Sequence, residues 1–192
     1  MSGDLYSNYR ELAAAQTKGV DYQIRLDRRA RADTTIVVPH GGTIERRTTE
    51  IGEAVAGSEF NFYAFEGLHD EGTYDVLHIT SHRFDEPQCL TLVQNSRRVV
   101  TIHGYGGNQE QLLIGGKDKE LAQLIAHSCK ETGVPTLTDS HQYPGIRSDN
   151  ICNRGLTGKG VQIEFSDALR GGVSEMRVIN AIRDVLLSIQ DS

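Results

Sequence analysis

Three short apolar runs constrain this chain more than any other feature. Residues 34–38, 99–103 and 161–165 are rich in Val, Ile and Thr, the composition of buried strands. Helical spacing appears between and after them. Residues 117–131 place Leu121, Leu124, Ile125 and Ser128 on one face. Residues 174–189 do the same with Met176, Ile179, Ile182, Leu186 and Ile189, behind Ser174 as N-cap. Further helices are expected at 6–15, 48–56 and 87–94, the last with Pro87 in its first turn. Further strands are expected at 22–26, 61–65, 76–80, 112–114 and 135–138, with a polar loop over 140–159. Strands alternating with helices predict an α/β fold, a mixed parallel and antiparallel sheet flanked by helices. With 192 residues and no linker or repeat, one domain over 1–192 is the simplest organisation.

Composition narrows the function classes. Lys and Arg number 20 against 26 Asp and Glu, a net charge of −6, which argues against a nucleic-acid coat. No apolar run is long enough to span a bilayer, and residues 1–10 are polar, so no membrane association and a cytoplasmic location are expected. Cys89, Cys129 and Cys152 are widely spaced and form no CxxC pair, so free thiols are expected.

The ends of the apolar runs carry the chemistry. In open α/β sheets, ligands collect beyond the carboxyl ends of strands. The first run leads into His40-Gly41-Gly42-Thr43-Ile44-Glu45, the second into His103-Gly104-Tyr105, and the third contains Glu164. Glycines make up about 10% of the chain against a usual ~7%, and several cluster at these strand ends. A sharp backbone turn directly after a histidine suits an imidazole aimed at a shared point. Two histidines and a glutamate are a standard set for catalytic zinc, with water in the fourth position. His40, Glu45 and His103 are then the candidate ligands, and Glu164 the candidate proton shuttle. Spacing alone leaves other readings open. His40 as a loop cap, Glu45 as a solvated helix-start acid and Glu164 as an arginine partner fit the same residues. Two decoys fall away: Gly155 to Gly160 lacks the P-loop spacing, and Ser166 sits in no GxSxG elbow.

A resemblance adds to this. Pro39-His40-Gly41-Gly42-Thr43-Ile44-Glu45, His78-Ile79-Thr80-Ser81, Phe84-Asp85-Glu86-Pro87 and His103-Gly104-Tyr105 stand in the same order as in one family. So do Asp149-Asn150-Ile151, Asn153-Arg154 and the stretch from Gly158 to Glu164. Together, over residues 20–190, they resemble the phage-type poly-γ-glutamate hydrolases, which include phage-related proteins labelled as replication proteins. The resemblance implies a zinc-carboxypeptidase-like fold, zinc on His40, Glu45 and His103, and a catalytic Glu164. It implies an anionic γ-glutamyl polymer or peptide as substrate, a monomer or weak oligomer, and release on host lysis. One departure is the short passage through Gly171-Gly172-Val173 to the final helix, which leaves little wall to define a substrate.

A γ-glutamyl chain bears one free carboxylate per residue, and arginine forks bind carboxylates in bidentate fashion. Arg154 beside Asn150 and Asn153 is the leading candidate for that task, with Arg83 and Arg147 behind it. The resemblance also points to His78 as a substrate or ligand-supporting residue, and Tyr105 beside His103 is a candidate donor to an oxyanion. The rival readings are a zinc amidase for another acyl amino acid or cell-wall peptide, and a non-enzymatic phage replication accessory protein.

Overall fold

The computed structural model describes residues 4–30, 32–70 and 72–190. Its centre is a seven-stranded mixed sheet in the order β1-β3-β2-β4-β7-β5-β6. The strands are β1 (Tyr22–Asp27), β2 (Thr34–Gly42), β3 (Asn61–Gly67), β4 (Arg98–Tyr105), β5 (Leu112–Gly116), β6 (Thr136–Leu137) and β7 (Val161–Ser166). The inner strands β3, β2, β4 and β7 run parallel, β1 pairs antiparallel to β3, and β5 pairs antiparallel to β7. The helices are α1 (Tyr9–Ala15), α2 (Thr48–Ala56), α3 (Thr73–Leu77), α4 (Pro87–Gln94), α5 (Lys119–Glu131) and α6 (Glu175–Ser188).

Alternation along the strands sends side chains to two cores. Ile36, Val38, Val100, Ile102, Val161, Ile163 and Phe165 pack with α2, α5 and α6 on one face. Val37, Tyr63, Phe65 and Val99 pack with Leu12 of α1, Leu77 of α3 and Cys89, Leu92 and Val93 of α4 on the other. All three cysteines are buried free thiols, as expected. No helix among the described residues is long and apolar enough to cross a membrane.

Three sequence expectations change. Residues 76–80 form no strand: α3 ends at Leu77, and His78 caps it in an extended conformation. Gly72, at φ 65°, starts that helix, and Thr73 and Leu77, one turn apart, are its buried residues. Leu124 and Met176, expected on apolar faces, are exposed. Ala122 and Ala126 in α5, and Val178 and Ala181 in α6, complete those buried faces, so the packing surface is rotated from the predicted one. Pro39 does not end β2 but sits in a register shift between Val38 and Gly41. Proline is tolerated where a bulge frees its position from the ladder.

That shift opens the site. β2 pairs with β4 only as far as Val37 and Thr101, so beyond that point the two strands part. The crossover through α2 carries the chain from β2 to β3 on one side, while β4 lies on the other. This is a topological switch point, where open α/β sheets bind ligands.

Candidate metal centre

The crevice between β2 and β4 holds His40 and His103, both nearly fully buried. His40 Nε2 is 2.8 Å from the Ile79 carbonyl, which can only accept, so that nitrogen carries a proton. The other nitrogen, Nδ1, faces Glu45 Oε1 at 3.1 Å and His103 Nδ1 at 3.3 Å. Glu45 Oε2 lies 3.8 Å from His103 Nδ1 and accepts the Gly104 N–H at 2.8 Å. A tight turn makes this reach possible. The Glu45 N–H donates to the His40 carbonyl at 3.0 Å, and the Thr48 hydroxyl donates to the Glu45 carbonyl at 2.6 Å. Glycine after both histidines leaves room for neighbours: a Cβ at Gly41 would strike the Thr49 hydroxyl, and one at Gly104 would push aside the Arg170 guanidinium.

Three potential lone-pair donors crowded at one point form a cation's environment. Two imidazoles and a carboxylate with an accessible fourth side match catalytic zinc in donor type and number. His78 also brings a ring nitrogen within 4.8 Å of the His40 and Glu45 donors. Its Nδ1 is held by Asp4 Oδ1 at 2.8 Å, whereas His103 Nδ1 lies 3.3 Å from His40 Nδ1 and 3.8 Å from Glu45 Oε2, in direct contact with both other donors.

Electrostatics agree with competition between a cation and protons here. Burial disfavours charge on the Glu45 carboxyl, but His40, His103 and the Gly104 N–H outweigh it and bring it down to about 2. Burial would lower the His40 imidazole, yet the Glu45 charge and hydrogen bond raise it. Burial and the neighbouring His40 push His103 down to about 3 against the pull of Glu45. Burial, with the Glu45 charge, raises Glu164 well above the carboxylate range. A cation between these groups would lower that value and displace any proton from His40 Nδ1, while Nε2 keeps the one it donates to Ile79.

Glu164 enters from β7. The β4–β7 register sets it beside His103, and alternation with Val161, Ile163 and Phe165 points it away from the α2–α5–α6 core. Gln162, two residues earlier on the same face, donates to Glu164 Oε1 at 2.9 Å and accepts from Asn150 Nδ2 at 2.8 Å. Asn150 in turn accepts the Cys152 N–H at 3.1 Å. Sequence reasoning missed Gln162, although a polar residue two places before Glu164 on a buried strand was a readable signal.

A cleft of about 350 Å³ lies over these groups, walled by Tyr74, His78, Ser81, Tyr143, Ile146 and Arg147. It brings together His40, Glu45, His78, His103, Arg147, Asn150 and Glu164 from the predicted set. The remaining candidates do not line it. Arg154 is half-buried, with Nη1 3.4 Å from the Phe84 carbonyl. Arg83 faces Asp4 at 3.8 Å. Asn153 spends its amide on the Gly145 and Arg147 carbonyls and accepts the Lys117 and Gly160 N–H groups, clamping the 145–147 wall. The Tyr105 hydroxyl donates to Gln111 at 2.9 Å and lines a neighbouring hollow with Arg46 and Arg170.

Fold and donor set together define a class, the mixed α/β proteins with two histidines and a carboxylate gathered at a sheet crevice. N-formylglutamate amidohydrolase from Ralstonia eutropha JMP134 shares the fold at a TM-score of 0.51 and 12% identity. The family follows from the sequence. The profile of the poly-gamma-glutamate hydrolases matches residues 6–181, and the chain belongs to that family. YndL of Bacillus subtilis strain 168 is 34% identical over 169 residues, covering 87% of this chain and 66% of YndL. The SPbeta prophage-derived protein YoqZ of the same strain is 35% identical over 175 residues, 88% of this chain and 61% of YoqZ. The chain thus spans under two thirds of these relatives' length. Among solved structures, a bacteriophage poly-gamma-glutamate hydrolase aligns at a TM-score of 0.88 with 31% identity, covering 96% of this chain and 97% of that one. A zinc-free apo structure of YndL aligns at 0.86 with 28% identity, covering 96% and 98%.

Proposed function

We propose that this chain is a zinc-dependent hydrolase of γ-glutamyl amide bonds, acting on an anionic γ-glutamyl polymer or peptide. The observation that carries it is the convergence of His40 Nδ1, His103 Nδ1 and the Glu45 carboxylate at the floor of a cleft that Glu164 also lines. Family membership and the bacteriophage enzyme's structure support the substrate class.

Zinc on His40, Glu45 and His103 would polarise the scissile carbonyl and lower the pKa of the attacking water. The chain's own residues do the rest. Glu164 takes the water's proton on its carboxylate and returns it to the leaving amine. Gln162, fixed by Asn150, holds one Glu164 oxygen by donating to it, so the other is left for the proton. Tyr74 and Tyr143 wall the cleft and restrict water beside the reacting groups. Arg147, 64% exposed at the cleft rim, reads a substrate carboxylate through its Nη1 side, since its Nε and Nη2 are taken by Asp149 at 2.9 and 2.7 Å. The same reading takes residues 1–192 as one hydrolase domain, working as a monomer or weak oligomer, made in the cytoplasm and released on host lysis. The SPbeta prophage origin of one relative supports that setting.

The test is product analysis with poly-γ-glutamate and with cell-wall peptides, for the parent and for Glu164→Gln. Cleavage of the γ-glutamyl polymer is expected, lost by about 10²–10⁴-fold in Glu164→Gln with the metal retained. Full activity in Glu164→Gln would sink the proton-shuttle role, and cleavage confined to cell-wall peptides would sink the substrate.

A further inference from the structure

Resting on the hydrolase reading above, the structure assigns a task to Asp4, which lies ahead of the family-matched residues 6–181. Asp4 precedes α1 in sequence, yet its side chain is only 5% exposed and reaches the wall of the cleft. Its Oδ1 accepts the His78 Nδ1–H at 2.8 Å, and its Oδ2 accepts the Thr80 N–H at 2.9 Å. Arg83 stands 3.8 Å from the same carboxylate. These contacts close over a separation of about 75 residues, because α1 is anchored on the same face. Leu12 is buried in that face's core, and Tyr9 donates its N–H to Asp85 at 2.7 Å.

A carboxylate can only accept, so Asp4 dictates that His78 carries its proton on Nδ1. Nε2 is then the lone-pair nitrogen. The ring cannot rotate freely, since it lies between His40, at 4.1 Å between centroids, and Tyr74, at 4.5 Å. His78 lines the cleft, and one of its ring nitrogens falls within 4.8 Å of the ligand atoms of His40 and Glu45. We propose that Asp4 is a positioning residue for hydrolysis: it locks His78 in the tautomer whose Nε2 accepts a hydrogen bond from the attacking water. Outer carboxylates of this kind typically matter by 10–100-fold in metal sites.

Asp4→Asn separates this from a packing role, because it preserves shape and inverts the hydrogen-bond logic. The Thr80 N–H still requires an acceptor, so the Asn oxygen takes that bond and its NH₂ faces His78 Nδ1. That nitrogen must then accept, and the proton moves to Nε2, turned into the cleft. Long-range ¹H–¹⁵N spectra of the metal-free protein read this directly. His78 is expected in the Nδ1–H form in the parent and in the Nε2–H form in Asp4→Asn. With metal restored, kcat for Asp4→Asn should fall about 10–100-fold with KM little changed, and metal content should be kept. In a His78→Ala background, Asp4→Asn should cost nothing further, since its effect runs through the imidazole. A parent His78 in the Nε2–H form, an unchanged kcat, or a full additional loss in the His78→Ala background would each overturn the proposal. A parent without hydrolytic activity would sink the functional reading and the catalytic part of this one, while the spectra still decide the Asp4–His78 pairing.

Discussion

At the residue scale, the Ile79 carbonyl holds His40 and the Gly104 N–H holds Glu45, and those partners decide what substitutions do. Gly104 combines two duties: its N–H supports Glu45, and its missing side chain admits Arg170. Gly104→Ala forces the guanidinium away and disturbs the Glu45 oxygen. Lower metal affinity is expected, read by competition with a chromophoric chelator; unchanged affinity would show that the contact is slack. His103 gives a pH prediction for the metal-free protein. Its folded value of about 3 lies below the ordinary 6.5, so on acidification the unfolded chain binds a proton there before the native one does. Its contribution is present above pH 6.5 and lost as pH falls toward 3. The stability advantage of the parent over His103→Asn should therefore shrink between pH 7 and pH 4 in urea titrations. An advantage that grows on acidification would mean that His103 is protonated in the native state.

At the element scale, the approach of α2 to β2 is set by Gly52, whose added Cβ would collide with Val38. Alanine is the better helix former by about 1 kcal/mol, but overpacking typically costs 1–3 kcal/mol. Gly52→Ala is expected to lower the urea midpoint; a raised midpoint would show that α2 can move outward freely. The same scale shows what was legible in the sequence. The central strands and their terminal His40, His103 and Glu164 were readable because β-branched runs and glycine punctuation are local signals. Residues 76–80 misled because Val76, Ile79 and Thr80 are good strand formers, while the Gly72 turn and the burial of Thr73 and Leu77 select a helix. Asp4 on His78 and Asn153 clamping the 145–147 wall were not readable, and although Gln162 could be noticed beside Glu164 on its strand, its tie to Asn150 could not. Those partnerships exist only once distant segments are packed together. Arg154 and Asn153 were grouped as carboxylate readers by proximity in sequence, which says nothing about their being turned away from the cleft.

At the scale of the whole molecule, net charge and metal binding act together. The chain carries −6, so a polyanionic substrate of the proposed kind would approach against a repulsive field, which a Debye length of about 10 Å at 0.1 M salt screens. The kcat/KM on a γ-glutamyl polymer should rise as salt is increased from a few millimolar to about 0.1 M. A steep fall would mean that the cleft's own positive charge dominates the encounter. Metal that binds only the native state stabilises it by mass action, about 2.7 kcal/mol at a hundredfold excess over Kd. Chelation should therefore lower Tm, and zinc should restore it. The most direct measurement of the central claim is elemental analysis of protein purified without chelator, alongside a His40→Ala, His103→Ala double variant. About one equivalent of zinc in the parent and essentially none in the variant is expected for three ligands at one catalytic site. A parent with under about half an equivalent, or a variant that keeps its zinc, would contradict the site built from His40, Glu45 and His103.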